Sequence, residues 1–175
     1  MANPIDTISA KAKGIQKGIE ARREGLVGVF HTLAKQHGEA GALLDRVKGD
    51  ASKADSLWPK IKIALVSHEK AELQVVYPAL ARHNELQVFV EQHARDAQQL
   101  EDMVVRLDAM AVASPEWMSL FASLRAAVLT HASTEESEIF PEALQFIGEN
   151  RAKELDDAFK SVQRDVESSL KKAIH

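Results

Sequence analysis

At 175 residues the chain is long enough for one domain with a substantial core, and a net charge of −4 with both signs interspersed leaves no basic footprint for nucleic acid. It has no cysteine, which excludes disulfides, thiolate ligands and thiol catalysis, so any metal must be held by His, Asp and Glu. Ala, Leu, Glu, Lys and Gln prevail over few aromatics and five prolines, which predicts an all-α fold.

Asn3 followed by Pro4 reads as an N-cap with proline at the first helical position. Ile5, Ile8, Ala12, Ile15 and Ile19 then step by three and four, an amphipathic N-terminal arm. The same phase continues through Leu26, Phe30, Leu33, His37, Ala40, Leu44 and Val47, a first long helix ending near Gly49. Asp50 and Ser52 can cap a second helix to about Ala81, which Tyr77-Pro78 bends or ends early. A third runs from roughly Glu85 to Val112, and Ser114-Pro115-Glu116 starts a fourth that closes near Gly148. From about Asn150, Leu155, Phe159, Val162, Val166 and Leu170 line one face of a fifth. The expected organisation is a single unit over residues 1–175. It comprises an arm over 1–23, an antiparallel up-down four-helix bundle over 24–148 and a C-terminal helix over 149–175. No apolar run approaches the ~20 residues that cross a bilayer, and the start lacks a signal-peptide layout, so a soluble cytoplasmic protein, monomer or homodimer, is expected.

The second and fourth helices repeat each other. Ser56 and Leu57 match Ser119 and Leu120, and Val76-Tyr77-Pro78 answers to Ile139-Phe140-Pro141, at a fixed offset of 63 residues. Most positions are kept by type, but His68/His131 and Glu72/Glu135 are kept by chemistry. A His and a Glu four residues apart share one helix face. His37 and His93 lie in the apolar stripes of the first and third helices, so four histidines and two glutamates point inward. Buried carboxylates pair, bind a metal or take up a proton. The set suits a dinuclear centre, with histidine nitrogens on each metal and the carboxylates bridging; a metal-free His–Glu network that shares protons is the alternative.

In order along the chain, His37 in QHGEAGALLDRV, His68-x-x-x-Glu72, His93 in EQHARDAQQLEDM and His131-x-x-x-Glu135 resemble the hemerythrin-like, or HHE cation-binding, family over roughly residues 26–147. The resemblance implies a four-helix bundle holding two non-haem iron ions, oxo- or hydroxo-bridged, through His37, His68, Glu72, His93, His131 and Glu135. Oxygen-carrying members usually place a second histidine where this chain has Ala97, and a His-x-x-x-x-Asp pair on the last helix. One imidazole fewer leaves positions open to a diatomic or peroxide ligand. The chain looks more like bacterial members linked to oxidative and nitrosative stress or iron handling, without the cysteine-bearing N-terminal segment of the repair type. Reversible binding, turnover of peroxide or nitric oxide, and iron sensing, donation or storage all stay open. The absence of a fused output domain disfavours a stand-alone sensor, and the lack of a large insertion disfavours oxygenation of a bulky molecule.

The remaining polar positions read as peripheral. His31 falls about 120° around the helix from His37, on the flank. Glu69 reads as a solvated surface residue although some family members use a carboxylate there, and Tyr77 as core packing. Glu138, in phase with Glu135, is a lesser candidate for a base or extra ligand. His83 and His175 are expected in solvent, Met103, Met110 and Met118 in core gaps, and Gly14-x-x-x-Gly18 against the chain's own bundle.

Overall fold

A computed structural model describes residues 4–173, so the Asn3 cap and His175 lie outside the described residues. Helices make up the described chain, and it contains no strand. They are α1 (Pro4–Arg23), α2 (Val29–Gly49), α3 (Ala54–Ala71), α4 (Tyr77–Leu80), α5 (Gln87–Asp108), α6 (Pro115–Thr134) and α7 (Phe140–Ala173). Short 3₁₀ turns precede α3 and α5. Asp50 accepts from the Ser52 amide, and Ser114 accepts from the Trp117 amide with Pro115 in the first turn of α6, as the cap signals predict. The third helix stops at Asp108, four residues short of the expected Val112.

Between α3 and α4, Glu72–Val76 forms a π-helical turn, and Glu135–Ile139 forms another between α6 and α7. Tyr77 N–H donates to the Glu72 carbonyl and Phe140 N–H to the Glu135 carbonyl, five residues back in each case. The cause lies one residue on. Pro78 and Pro141 have no N–H, and in an α-helix their rings would strike the carbonyl four residues earlier. A wider turn relieves that clash, and such turns cluster at functional sites. The proline therefore widens the helix where a bend or an early end was expected.

Two apolar clusters fill the interior. One gathers Phe30, Leu33, Tyr77, Leu80, Ile139, Phe140 and Phe159; the other gathers Leu44, Trp58, Ile61, Leu100, Trp117 and Phe121. In the second, Trp58 meets the Trp117 edge at 5.5 Å and Trp117 stacks on Phe121 at 4.9 Å. Helices α2 and α5 run from the first cluster to the second, and α3 and α6 run back. In each helix the histidine falls between the two, so His37, His68, His93 and His131 share one polar layer.

The arm α1 packs along α2, where Gly14 sits against Glu39, Gly18 against His31 and Gly38 against Lys17. Asp6, buried in α1, accepts from Lys53 at 3.1 Å and pairs with Arg46 at 3.3 Å, which fixes the arm at its other end. Two glycines take conformations other residues resist. Gly28 (φ 56°, ψ −132°) enters α2 with the Ala152 carbonyl lying where a Cβ would go, and Gly148 (φ 76°, ψ 161°) breaks α7 where the fourth and fifth helices were expected to part.

Candidate metal centre

Each histidine continues an apolar stripe whose burial its neighbours enforce, so the fold withdraws four imidazoles and two carboxylates from water. Glu72 and Glu135 are fully buried, and His68, His93 and His131 are exposed by less than a tenth. Two groups of side chains converge closely enough to hold a metal ion. One is Glu69, Glu72, His93 and His131; the other is His37, His68 and Glu135. All six residues singled out by spacing are among them.

The groups are not separate. Glu72 Oε2 lies 3.2 Å from His68 Nε2, across from its own group. Glu135 Oε2 lies 3.2 Å from His37 Nε2 and 3.4 Å from His131 Nε2, and its Oε1 lies 3.3 Å from His93 Nδ1. His37 and His68 bring their Nε2 atoms within 3.2 Å of each other. Two ligands about 2.1 Å from one cation, at right to tetrahedral angles, sit about 3.0–3.4 Å apart. The observed spacings match.

Buried polar atoms normally find hydrogen-bond partners. Here both Glu72 oxygens, both His93 nitrogens, Glu69 Oε2, His131 Nε2 and Glu135 Oε2 have none, and all lie in this one layer. Three of the imidazoles have a polar group on their outward side. His37 Nδ1 donates to Glu136 Oε1 at 2.9 Å, and His68 Nδ1 to Gln36 Oε1 at 2.9 Å; Asp96 lies 3.8 Å from His131 Nδ1. Lys17 of the arm holds Glu136 in turn, 2.7 Å away. Outer partners of this kind orient ligand imidazoles and set their tautomer. The donor set and its orphaned atoms fit a pair of metal cations.

Electrostatics in the layer follow from burial and crowding. Burial, reinforced by the Glu135 charge, pushes Glu72 up to about 8. Burial also drives Glu69 well above the usual carboxylate range, with Glu72 and Glu135 adding to it. Glu135 goes the other way: burial opposes its charge, but His131, His37 and His93 hold it well below the ordinary value. Burial depresses His37, yet Glu135 and Glu136 override that and raise it to about 10. Burial and the neighbouring His37 charge lower His68 to about 3. His37 Nε2 faces the space between the groups, 3.2 Å from both Glu135 Oε2 and His68 Nε2, where the ligand geometry suits a metal cation.

Several expectations need correcting. Glu69 is not solvated: its side chain is 13% exposed, and its carboxylate lies 3.5 Å from His131 Nε2 and 3.8 Å from His93 Nε2. Tyr77 does more than pack, donating its hydroxyl to Glu135 Oε1 at 2.6 Å while its ring stacks on His93 at 3.5 Å. Glu138 is exposed, because the π turn carries it away from the phase of Glu135. His31 meets Gly18 of α1 and belongs to neither group, and His83 is partly exposed beside Phe146. Met103 is buried, and Met110 and Met118 pack on the second cluster. Sequence reasoning missed Gln36 and Glu136, whose only signal was their place beside His37 and Glu135.

A sequence profile described as the hemerythrin HHE cation binding domain matches residues 28–143. The chain belongs to the hemerythrin HHE cation-binding family. Residues 28–143 of the hemerythrin-like chain carry every member of both groups. No curated protein and no solved structure matches it. No helix among the described residues is long and apolar enough to cross a membrane.

Proposed function

We propose that this hemerythrin-like protein holds two non-haem iron ions in an antiparallel up-down four-helix bundle and uses them, in the cytoplasm, on a small ligand such as oxygen, peroxide or nitric oxide during stress. The observation that carries this reading is the double reach of Glu72 and Glu135. Each buried carboxylate belongs to one ligand group and contacts a histidine of the other, as a bridge requires. His37, His68 and Glu135 would hold one ion, and Glu69, His93 and His131 with Glu72 the other. Iron suits an all-imidazole and carboxylate set without sulfur. Bound there, it would supply Lewis acidity and redox electrons.

The protein's own part is orientation and exclusion. Tyr77 fixes the Glu135 carboxylate, Glu136 and Gln36 fix two imidazoles, and the apolar clusters keep bulk water out. A cavity of about 170 Å³ reaches His37, His68, Glu69 and His131 past Leu43, Leu65 and Val128. That is room for a few molecules of water or dioxygen, and too little for a bulky organic substrate. The alternation of α2, α3, α5 and α6 between the two clusters supports the antiparallel order.

The test is to load the protein anaerobically with ferrous iron, expose it to oxygen, peroxide and nitric oxide in turn, and follow the optical spectrum. A response to at least one ligand that Glu72→Ala and Glu135→Ala abolish is expected. Inertness to all three, with iron bound, would move the protein to iron storage or sensing.

A further inference from the structure

The arm α1 packs on its own bundle with its small residues. Ala10, Gly14, Gly18 and Ala21 are buried on the side that meets α2, where the Gly14–Glu39 and Gly18–His31 contacts bring the two helices close. The isoleucines that make the arm amphipathic in sequence point the other way. Ile8, Ile15 and Ile19 are 66%, 57% and 51% exposed, with exposed Ala12 between them. At about 100° per residue these four fall within about 60° of one another, opposite the small residues. Exposed apolar side chains scattered singly need no explanation, but three isoleucines in line on one helix form a patch.

The surroundings of that patch are cationic. Helix α1 carries Lys11, Lys13, Lys17, Arg22 and Arg23 against Asp6 and Glu20, five positive and two negative, or +3 in a chain of −4. Both acids are engaged: Asp6 is buried with Arg46 and Lys53, and Glu20 accepts from Gln16. Ile15 and Ile19 share an open groove of about 540 Å³ with Arg22, Arg23 and Lys35 of α2.

Together the two features select the partner. In a two-fold pair formed through this face the patch would meet itself, setting Arg22, Arg23 and Lys35 against their own kind. A partner that is apolar along the isoleucine line and anionic beside it fits instead. Anionic lipid has that layered chemistry, phosphate over acyl chain. A bilayer surface is also flat and deformable, so it can touch every isoleucine along about 16 Å of convex helix. The lysine and arginine stems reach from the helix flanks to the headgroups while the isoleucines enter the acyl boundary. No helix among the described residues is long and apolar enough to cross a membrane, so the contact is peripheral.

We propose that α1, held on the bundle by its small-residue face, is a surface-docking helix for membranes rich in anionic lipid. The contact needs no metal and goes beyond the function proposed above.

Flotation of the full chain with lipid vesicles tests it. The protein should rise with phosphatidylcholine vesicles that contain phosphatidylglycerol and stay behind with phosphatidylcholine alone, and about 1 M salt should release it. Ile15→Ser with Ile19→Ser should weaken binding about 10-fold at unchanged charge. Arg22→Gln with Arg23→Gln should weaken it about 30-fold. All four sites are exposed, so these variants keep the fold. Val88→Ser with Val105→Ser removes apolar surface exposed on α5 and should bind as the native protein does. Equal binding to both vesicle types, or binding that the isoleucine variant retains in full, would overturn the proposal. Light scattering that shows a dimer which the isoleucine variant dissolves would also overturn it and give the face to a second copy. So would a failure to bind anionic vesicles, and α1 amide NMR signals moved by a polyglutamate peptide would then give the face to an acidic protein.

Discussion

Glu72 and Glu135, 63 residues apart, each open a π-helical turn and each reach across from one ligand group to the other. The duplicated sequence thus preserves a backbone irregularity as well as a motif. Yet the two carboxylates differ electrically. Glu135 touches three imidazoles and the Tyr77 hydroxyl, whereas Glu72 touches His68 and has no hydrogen-bond partner.

That difference separates two isosteric variants of the metal-free protein. Glu135→Gln breaks a buried, paired charge and is expected to lower stability by about 3–5 kcal/mol. Glu72→Gln removes an uncompensated carboxyl and should be neutral or stabilising at pH 8. Urea unfolding of both metal-free variants decides the matter, and equal losses would contradict the assignment.

Metal loading should release protons. With His37 raised to about 10 and Glu72 to about 8, both are protonated at pH 7, and both must give up a proton to a cation. The stability sign follows from the same shifts. Because both folded-state values are raised, Glu72 contributes stability present below about 4.5 and lost as pH rises through 8, and His37 stability present below 6.5 and lost as pH rises through 10. The gain in melting temperature on metal loading should therefore be larger at pH 9 than at pH 6. Calorimetric titration in buffers of different ionisation enthalpy at pH 7 counts the protons.

Tyr77→Phe keeps the ring on His93 and deletes the donor to Glu135. A hydrogen bond to a charged group contributes about 1.5–3 kcal/mol, and that loss is expected in metal-free stability. Melting the metal-free variant beside the native protein measures it, and an unchanged midpoint would mean that packing is all Tyr77 does.

Gly28→Ala should loosen the C-terminal helix. The change forces a side chain to positive φ, about 1–3 kcal/mol, and drives a Cβ into the Ala152 carbonyl. Hydrogen exchange should quicken in α7 beyond Gly148 before it does in α3 or α6.

Much of this was legible in the sequence because helices declare themselves by period. The stripes and the six inward His and Glu positions follow from spacing of three and four, and the caps at Asp50 and Ser114 and the break at Gly148 follow from residue type. What escaped depends on contacts between distant helices or on a change of period. Tyr77 lies 58 residues from Glu135, so no local pattern links them. Glu138 misled because a π turn breaks the phase that selected it. Glu69 looked solvated because it follows His68 directly and leaves the central stripe, yet a layer of four packed helices is crowded enough to bury that flank as well.

Iron content decides whether the centre is dinuclear. Protein loaded anaerobically with ferrous iron, then desalted, should retain about two irons per chain by elemental analysis and about none when Glu135 is replaced by alanine. Native protein that retains none would leave a buried His–Glu network sharing protons, and one iron held equally by native protein and Glu135→Ala would contradict the bridge.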